Sequence, residues 1–201
     1  MPPADVPSAR PGIRTPKLLD CRQVGSYNLE LLKFPTLDPT NYSCPIQSDL
    51  GNHKETYVRF SELIPGVVIR TPPRLITAKE MVEFASRYDP QWFHIDPVRA
   101  SEGRWKGLIA SGWHTCAIAM ELMVQNVLTG SEAFGSSGSD SIKWLHPVRP
   151  KDTVALRFEV LRSSKSPSGR TGILLSKSEL WNQSDRLVFT MQGTTLFDIT
   201  K

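Results

Sequence analysis

The sequence predicts an α+β domain in which a sheet of antiparallel strands curls around one long apolar helix. Thr77 and Glu80 form the capping-box signature that opens an amphipathic helix. The segment 108–128 is apolar nearly all round, which is typical of a buried helix. After Asp140, apolar and polar residues alternate in successive segments, as in half-buried strands. Short strands, a helix, a long buried helix and then a run of antiparallel strands follow one another, and this order predicts the α+β class.

Composition excludes several classes of protein. The chain has 201 residues, of which 39% are hydrophobic, enough for a real core. Its net charge of +4 is mild and its Lys and Arg residues form no clustered face, which disfavours a nucleic-acid binder. Cys21, Cys44 and Cys116 form no CxxC pair, so we expect free thiols in a reducing, cytoplasmic compartment. The longest uncharged apolar run, 107–120, is too short to cross a membrane.

We divide the chain into an N-terminal extension, 1–55, and a domain, 56–201. The extension holds eight of the sixteen prolines, which interrupt every candidate helix or strand. It has neither the basic start nor the apolar stretch of a secretory signal. We expect a mobile extension, with a partner-binding or dimer-wrapping arm as the alternative.

The first elements of the domain are short. Segments 57–60 and 67–70 are predicted strands. A helix follows the N-cap Thr77 and ends before Pro90, because a residue that precedes proline avoids the helical conformation.

The second half of the domain contains the longest helix and most of the sheet. The helix is predicted over 108–128, and the Gly- and Ser-rich segment 130–140 is predicted to be a flexible connection. The exposed edges of such a sheet need covering, so we expect a homodimer or a higher homo-oligomer. Strands are predicted over 141–146, 154–160, 173–181 and 187–197.

Asp89 and His94 are the candidate catalytic residues, because they place a carboxylate and an imidazole on one short irregular segment. Such a pair can hold and activate a water molecule. Each has a plainer alternative: Asp89 as the cap of a turn before Pro90, and His94 as a structural hydrogen bonder. The segment 107–115 is the expected opposite wall, since the small residues Ala110-Ser111-Gly112 within it would let a ligand approach a helix N-terminus closely.

Several blocks of the sequence, in this order, resemble the MaoC-like dehydratase family. That family includes the (R)-specific enoyl-CoA hydratases and has the hotdog fold, a curved antiparallel sheet wrapped around a long central helix. The resemblance extends over about residues 57–200. The blocks that carry it are Ile76-Thr77, Glu80, Phe84-Ala85, YDPQWFHID at 88–96, GLIASGWHT at 107–115, IKW at 142–144 and PVRPKDT at 147–153.

The resemblance implies roles for three catalytic groups. The family motif D-x-N-P-x-H has four residues between its Asp and its His, and Asp89 and His94 keep that separation. They are thereby implied to bind the catalytic water beside the thioester. The backbone N–H of Gly112 is implied to be the oxyanion contact at the start of the long helix. No metal or redox cofactor is implied, and CoA is part of the substrate.

The chain departs from the family pattern inside the motif, where Gln91-Trp92 replaces Asn-Pro. Gln91 is expected to take over part of the hydrogen bonding of that asparagine. Ser111 lies in the small-small-Gly segment of the oxyanion contact, and Trp113 is a candidate wall of the acyl pocket with a core position as the alternative. We therefore expect Gln91, Ser111 and Trp113 to bind substrate.

The function implied is that of a hydro-lyase that reversibly hydrates a 2-enoyl-CoA to a 3-hydroxyacyl-CoA. A hotdog acyl-CoA thioesterase is an alternative enzyme class, in which the activated water attacks the thioester carbonyl. A non-catalytic acyl-CoA-binding hotdog domain is a third reading, which the Gln91-Trp92 departure leaves open.

Overall fold

The computed structural model of the chain describes residues 58–200. The predicted boundary between residues 55 and 56, the N-terminal extension, and Cys21 and Cys44 lie outside the described residues.

The described region consists of one antiparallel sheet with helices that precede most of its strands. In chain order, a 3₁₀ turn at Phe60–Glu62 is followed by β1 (Val68–Arg70), β2 (Arg74–Leu75), α1 (Ala78–Tyr88), α2 (Trp92–Ile95), α3 (Pro97–Glu102), α4 (Gly112–Met123) with a π-helical turn (Val124–Leu128), β3 (Ala133–Trp144), β4 (Thr153–Lys165), β5 (Thr171–Asn182) and β6 (Leu187–Asp198). The six strands are ordered β1-β4-β5-β6-β3 in the sheet, and β2 also pairs with β4. The α+β class predicted from the sequence is confirmed.

The core lies between the inner face of the sheet and α4. Alternate residues of β4, β5 and β6 face inward, and the register places Leu156 opposite Leu180 and Leu180 opposite Phe189. All three are buried, as are Ile118 and Leu122 on the facing side of α4. The alternation that predicted these strands therefore reflects burial of one face of the sheet.

The start of α4 differs from the prediction. Residues 108–111 are not helical, and α4 begins at Gly112 with Ser111 as its N-cap. The N–H of Ile109 donates to the Phe93 carbonyl and that of Ala110 donates to the Val148 carbonyl. The helix begins only at Gly112 because Ser111 has a non-helical backbone, with ψ 143°, and its Oγ accepts the N–H of Trp113 as an N-cap does.

The prediction that this helix is buried all round is wrong for one face. Trp113 is 59% exposed, Met120 43% and Val124 40%. Their spacing of seven and four residues places them on one side of the helix. The sheet packs against the opposite side, so this apolar side is left uncovered by the described residues.

Two further elements correct the sequence predictions. The segment 133–140 is not a flexible connection, because it forms the first part of β3 and pairs with β6 through three register shifts. As an edge strand it is exposed on both faces, so it has no apolar alternation to detect. The segment 57–60 is not a strand where it is described, because Phe60 opens a 3₁₀ turn and packs 5.2 Å from the Phe197 ring.

The other predicted elements are confirmed with shifted ends, and α1 carries the predicted capping box between Thr77 and Glu80. Between residues 58 and 200, no helix is long and apolar enough to cross a membrane.

Candidate active site

The end of α1 places the Asp89 side chain. Asp89 is the C-cap residue, and its N–H donates to the Ala85 carbonyl at 2.8 Å. Its backbone has left the helical conformation, with φ −153° and ψ 65°. Pro90 requires this exit, since the residue before proline avoids the helical region. The side chain is 20% exposed and is directed at the segments that carry His94 and Ser111.

The Asp89 carboxylate is surrounded by polar partners. Ser111 Oγ donates to Oδ2 at 2.7 Å, and Gln91 Nε2 donates to Oδ1 at 2.8 Å. His94 Nε2 lies 3.3 Å from Oδ2. Partial burial raises the pKa of the Asp89 carboxyl, but the hydrogen bonds from Ser111 and Gln91, together with the electrostatic effect of the nearby His94 ring, outweigh it and the pKa falls below its ordinary value. The group is therefore a carboxylate at neutral pH.

His94 lies on the short helix α2 with its ring buried. Its Nδ1 is 2.9 Å from the Ile109 carbonyl, which can only accept, so Nδ1 carries a hydrogen. Nε2 therefore faces Asp89 either as a donor or as a lone pair. Two acceptors at 3.3 Å repel unless a proton or a water hydrogen lies between them. The arrangement thus suits a shared proton or a bound water.

Gly112 is the first residue of α4, and its N–H has no acceptor within residues 58–200. The free N–H groups of a helix start carry a partial positive charge. A cavity of about 310 Å³ lies in front of this helix start. His94, Gly112 and Thr115 are among its walls, and Asp89 is connected to it through His94.

The three predicted substrate-binding residues have different surroundings. Gln91 and Ser111 are both hydrogen-bonded to Asp89. Ser111 also caps α4 by accepting from the N–H of Trp113 at 3.3 Å. Trp113 is not a wall of the 310 Å³ cavity, and its ring meets Trp144 edge-on at 5.8 Å. Substrate contact by these three residues stays a prediction.

Trp144 is a site residue that sequence reasoning missed. It is the last residue of β3, lines the cavity and donates from Nε1 to the Gly112 carbonyl at 2.8 Å. Its only signal in the sequence was its place in the IKW block, which carries no chemistry by itself. Trp105 also lines the cavity, and Arg149 Nη2 donates to the Trp105 carbonyl at 2.7 Å.

A second, larger cavity of about 440 Å³ lies at the other end of α4. Its walls are mostly apolar on the helix side and small on the sheet side. They include Met120, Met123, Met191, Ser176, Ser178 and Gly193.

Two reactive side chains of α4 lie outside both cavities. His114 is buried and stacks on the Phe84 ring at 4.8 Å, as expected for a packing residue. Burial raises the pKa of the Cys116 thiol, which keeps it protonated. Within residues 58–200, no cluster of three His, Cys, Asp or Glu side chains is arranged to hold a metal ion.

Comparison with known proteins identifies relatives of the described region. Residues 60–176 match the family model of the MaoC like domain. The uncharacterized protein YdeM of Bacillus subtilis (strain 168) is 31% identical over 133 residues, which are 66% of this chain and 93% of YdeM.

Two solved structures are similar to the fold. The MaoC-like dehydratase from Rhodospirillum rubrum has a TM-score of 0.64 and 29% identity, with 69% of this chain and 94% of that one covered. The unliganded R-hydratase PhaJ1 from Pseudomonas aeruginosa has a TM-score of 0.55 and 20% identity, with 69% and 84% covered. The predicted hotdog fold is confirmed. The chain belongs to the family of MaoC-like domain proteins.

Proposed function

We propose that this protein is a hydro-lyase that reversibly adds water across the 2,3 double bond of a 2-enoyl-CoA. The observation that carries the proposal is the Asp89–His94 pair, with Oδ2 and Nε2 3.3 Å apart beside a cavity that the start of α4 also lines. Membership of the MaoC-like family supports hydratase or dehydratase chemistry, which is the chemistry named for the R. rubrum and P. aeruginosa relatives.

The proposed step starts from ionised Asp89 and an imidazolium at His94. Asp89 takes one proton of the water as its oxygen bonds to C3. The π electrons of the double bond move to C2 and the thioester oxygen, and His94 delivers the Nε2 proton to C2. Both groups lie on one side of the substrate, so the addition is syn. A proton that passes from Asp89 to His94 across the 3.3 Å gap restores the starting state.

The N–H of Gly112 is proposed to stabilise the negative charge that develops on the thioester oxygen. It is a donor without an acceptor among the described residues, and it lies at the positive end of α4. A donor of this kind contributes about 2.7–4 kcal/mol to a transition state in comparable sites.

The acyl chain is proposed to extend along α4 toward the 440 Å³ cavity. Thr115 lines the first cavity and Met120 lines the second. These residues are separated by about 7.5 Å along the helix axis. The second cavity then favours acyl chains longer than four carbons.

We also propose that the protein acts as a homodimer or a higher homo-oligomer in the cytoplasm. The strand β3 is an edge of the sheet among the described residues, and an unpaired edge favours pairing with another chain. The uncovered side of α4, with Trp113, Met120 and Val124, adds apolar surface that a second copy would bury.

The test is the loss of enoyl-thioester ultraviolet absorbance with 2-enoyl-CoAs of four to twelve carbons. Wild type is expected to consume one or more of them without release of free thiol. Asp89→Asn and His94→Ala are expected to lower kcat by about 10²–10⁴-fold each. Asp96→Asn is the matched control, because Asp96 caps α3 two residues beyond His94 and is not among the residues that line the cavity.

Two other outcomes of this assay would contradict the proposed hydratase activity. Release of free thiol identifies a thioesterase. One observation favours binding without turnover: both oxygens of Asp89 already accept hydrogen bonds within the protein. In that case acyl-CoA binds equally to wild type and Asp89→Asn, and no chain length is hydrated.

A further inference from the structure

We propose that Trp144 is a positioning residue for the Gly112 N–H, and that residue 112 is glycine because of this indole ring. The proposal rests on the proposed function for its kinetic consequences. Its packing consequences are independent of any activity.

The first observation is the space beside Gly112. A Cβ atom added to Gly112 would lie 2.8 Å from Cε2 and 3.0 Å from Nε1 of Trp144. Real Cβ atoms essentially never approach other atoms more closely than 3.0 Å. The neighbouring atoms belong to a rigid bicyclic ring, which cannot fold away as a flexible side chain would. An alanine at position 112 therefore displaces either the ring or the start of α4.

The second observation is the hydrogen bond from Trp144 Nε1 to the Gly112 carbonyl at 2.8 Å. This carbonyl belongs to the peptide group that follows the Gly112 Cα, and the proposed oxyanion donor belongs to the group that precedes it. Glycine has the greatest freedom of φ and ψ of any residue. The indole restrains one of the two peptide groups and packs against the Cα between them, so it limits the directions in which the N–H points.

The third observation is the anchoring of the ring itself. Trp144 pairs with Phe189 of β6, and Phe189 is completely buried. Trp113 meets the indole edge-on with an interplanar angle of 78°. The ring is 48% exposed because its other side faces solvent and the cavity. Trp144 thereby ties the start of α4 to the end of a strand, and it also contacts the Cys116 thiol one turn further along the helix.

These contacts predict that loss of the Trp144 ring lowers the rate of the chemical step more than it weakens binding of the substrate. A misplacement of about 1 Å in a catalytic group lowers the rate by about 10²-fold. Binding of the CoA ester depends on many contacts along the cavity, so it is less sensitive to the direction of one N–H.

The experiment is a double-mutant cycle with Gly112→Ala and Trp144→Leu in the full chain. Gly112→Ala alone is expected to lower kcat by about 100-fold and to lower Tm, because the Cβ and the indole compete for one space. In the Trp144→Leu background, the same alanine is expected to change kcat by less than about 3-fold and to leave Tm nearly unchanged. Equal effects of Gly112→Ala in both backgrounds would show that the glycine serves the substrate or the helix, and would overturn the proposal.

Trp144→Phe separates the hydrogen bond from the ring. It is expected to lower kcat by about 10-fold while KM changes by less than about 3-fold. Phe134→Leu is the control, since it truncates an exposed aromatic at the other end of β3. A rise of KM with kcat unchanged would assign Trp144 to substrate binding and would contradict positioning. If wild type hydrates no 2-enoyl-CoA, the proposed function fails, while the Tm values of the four proteins still decide whether Gly112 and Trp144 are coupled.

Discussion

Ser111 Oγ donates a 2.7 Å hydrogen bond to Asp89 Oδ2, and Ser111 Oγ also accepts a hydrogen bond from the N–H of Trp113. One hydroxyl therefore caps α4 and holds the candidate base at the end of α1. These residues are 22 positions apart in the sequence. The start of α4 and the candidate catalytic carboxylate are thereby held relative to each other by a single side chain.

The first prediction concerns Ser111→Ala. Burial raises the pKa of the Asp89 carboxyl, but the hydrogen bonds from Ser111 and Gln91 lower it, and the resulting pKa lies below that of an ordinary aspartate. Removal of the Ser111 donor should therefore raise this pKa, and the acid limb of the kcat/KM profile should move to higher pH. The measurement is the pH dependence of hydration between pH 4 and 8.

Thr77→Ala is the matched control for Ser111→Ala. Thr77 caps α1 through the same kind of bond, an Oγ that accepts the Glu80 N–H at 3.2 Å, but it does not contact Asp89. Both variants should lose about 1 kcal/mol of stability. Only Ser111→Ala should move the acid limb, and an equal movement in both variants would refute the role given to the Ser111 hydroxyl.

The second prediction concerns Gly103, which lies against the ring of Trp92. A Cβ added to Gly103 would lie 2.7 Å from Trp92 Cζ3, and the Arg99 guanidinium covers that ring at 5.0 Å to its centroid. The rigid indole lies against both Gly103 and the Arg99 guanidinium, so Gly103→Ala should displace α2, which carries Trp92 and His94. We expect a loss of about 1–3 kcal/mol in the free energy of unfolding and a fall in kcat.

Chemical denaturation and kinetics of Gly103→Ala and of Gly103→Ala/Trp92→Leu test this prediction. The smaller leucine should restore most of the stability, because it frees the space that the alanine needs. A double variant no more stable than Gly103→Ala would mean that the glycine is required for another reason.

The sequence predicted best those features that depend on neighbours in the chain. The capping box of α1 joins Thr77 and Glu80, and the alternation in β4 follows from burial of one face, so both were visible as short patterns. The first part of β3, residues 133–140, was missed because an edge strand rich in Gly and Ser buries neither face, whereas its last residues were predicted as a strand. The start of α4 was misplaced because the apolar run continues through residues 108–110, which precede the Ser111 N-cap and bond instead to Phe93 and Val148.

In the candidate site too, contacts between neighbours in the sequence were predicted and contacts between distant segments were not. The spacing of Asp89 and His94 on one segment was enough to pair them, and the structure brings them to 3.3 Å. The Ser111 and Trp144 contacts join segments far apart in sequence, so they depend on how α1, α4 and β3 pack. Pattern reasoning located the residues of the segment 107–115, but it did not establish which of them contact Asp89 and which contact the sheet.

The third prediction concerns the pH dependence of stability. His114 is buried, stacks on Phe84, and its Nδ1 has no hydrogen-bond partner among the described residues. Burial lowers the pKa of His114, although the carboxylates of Glu80 and Glu121 act in the opposite direction and Arg74 adds to the lowering. The folded pKa therefore lies below the ordinary value of 6.5. The unfolded state binds more protons in this window, so stability falls as the pH drops below about 6.5 toward the folded pKa.

Urea unfolding at pH 7.5 and pH 5.5 measures this effect, with His114→Leu as the comparison. Wild type should lose stability between these values, and His114→Leu should lose less, because leucine retains the buried packing but has no proton to bind. An equal loss in both proteins would assign the pH dependence to other groups.

The last prediction tests the proposed acyl site in the 440 Å³ cavity. Ser176 lies on β5, is buried and forms part of the sheet side of this cavity, away from Asp89 and His94. Ser176→Leu should fill the space that a long acyl chain would occupy. We expect kcat/KM for an eight-carbon enoyl-CoA to fall by at least about 10-fold, since exclusion of even one methylene from its pocket is worth about 1–3 kcal/mol. The value of kcat/KM for crotonyl-CoA should change by less than about 2-fold, because four carbons reach only the first cavity.

Ser176→Ala is the control for Ser176→Leu, since it removes the hydroxyl without adding volume. If Ser176→Leu lowers kcat/KM equally for both substrates, the second cavity does not hold the acyl chain. If it lowers kcat/KM for neither substrate, the acyl chain leaves the first cavity by another route.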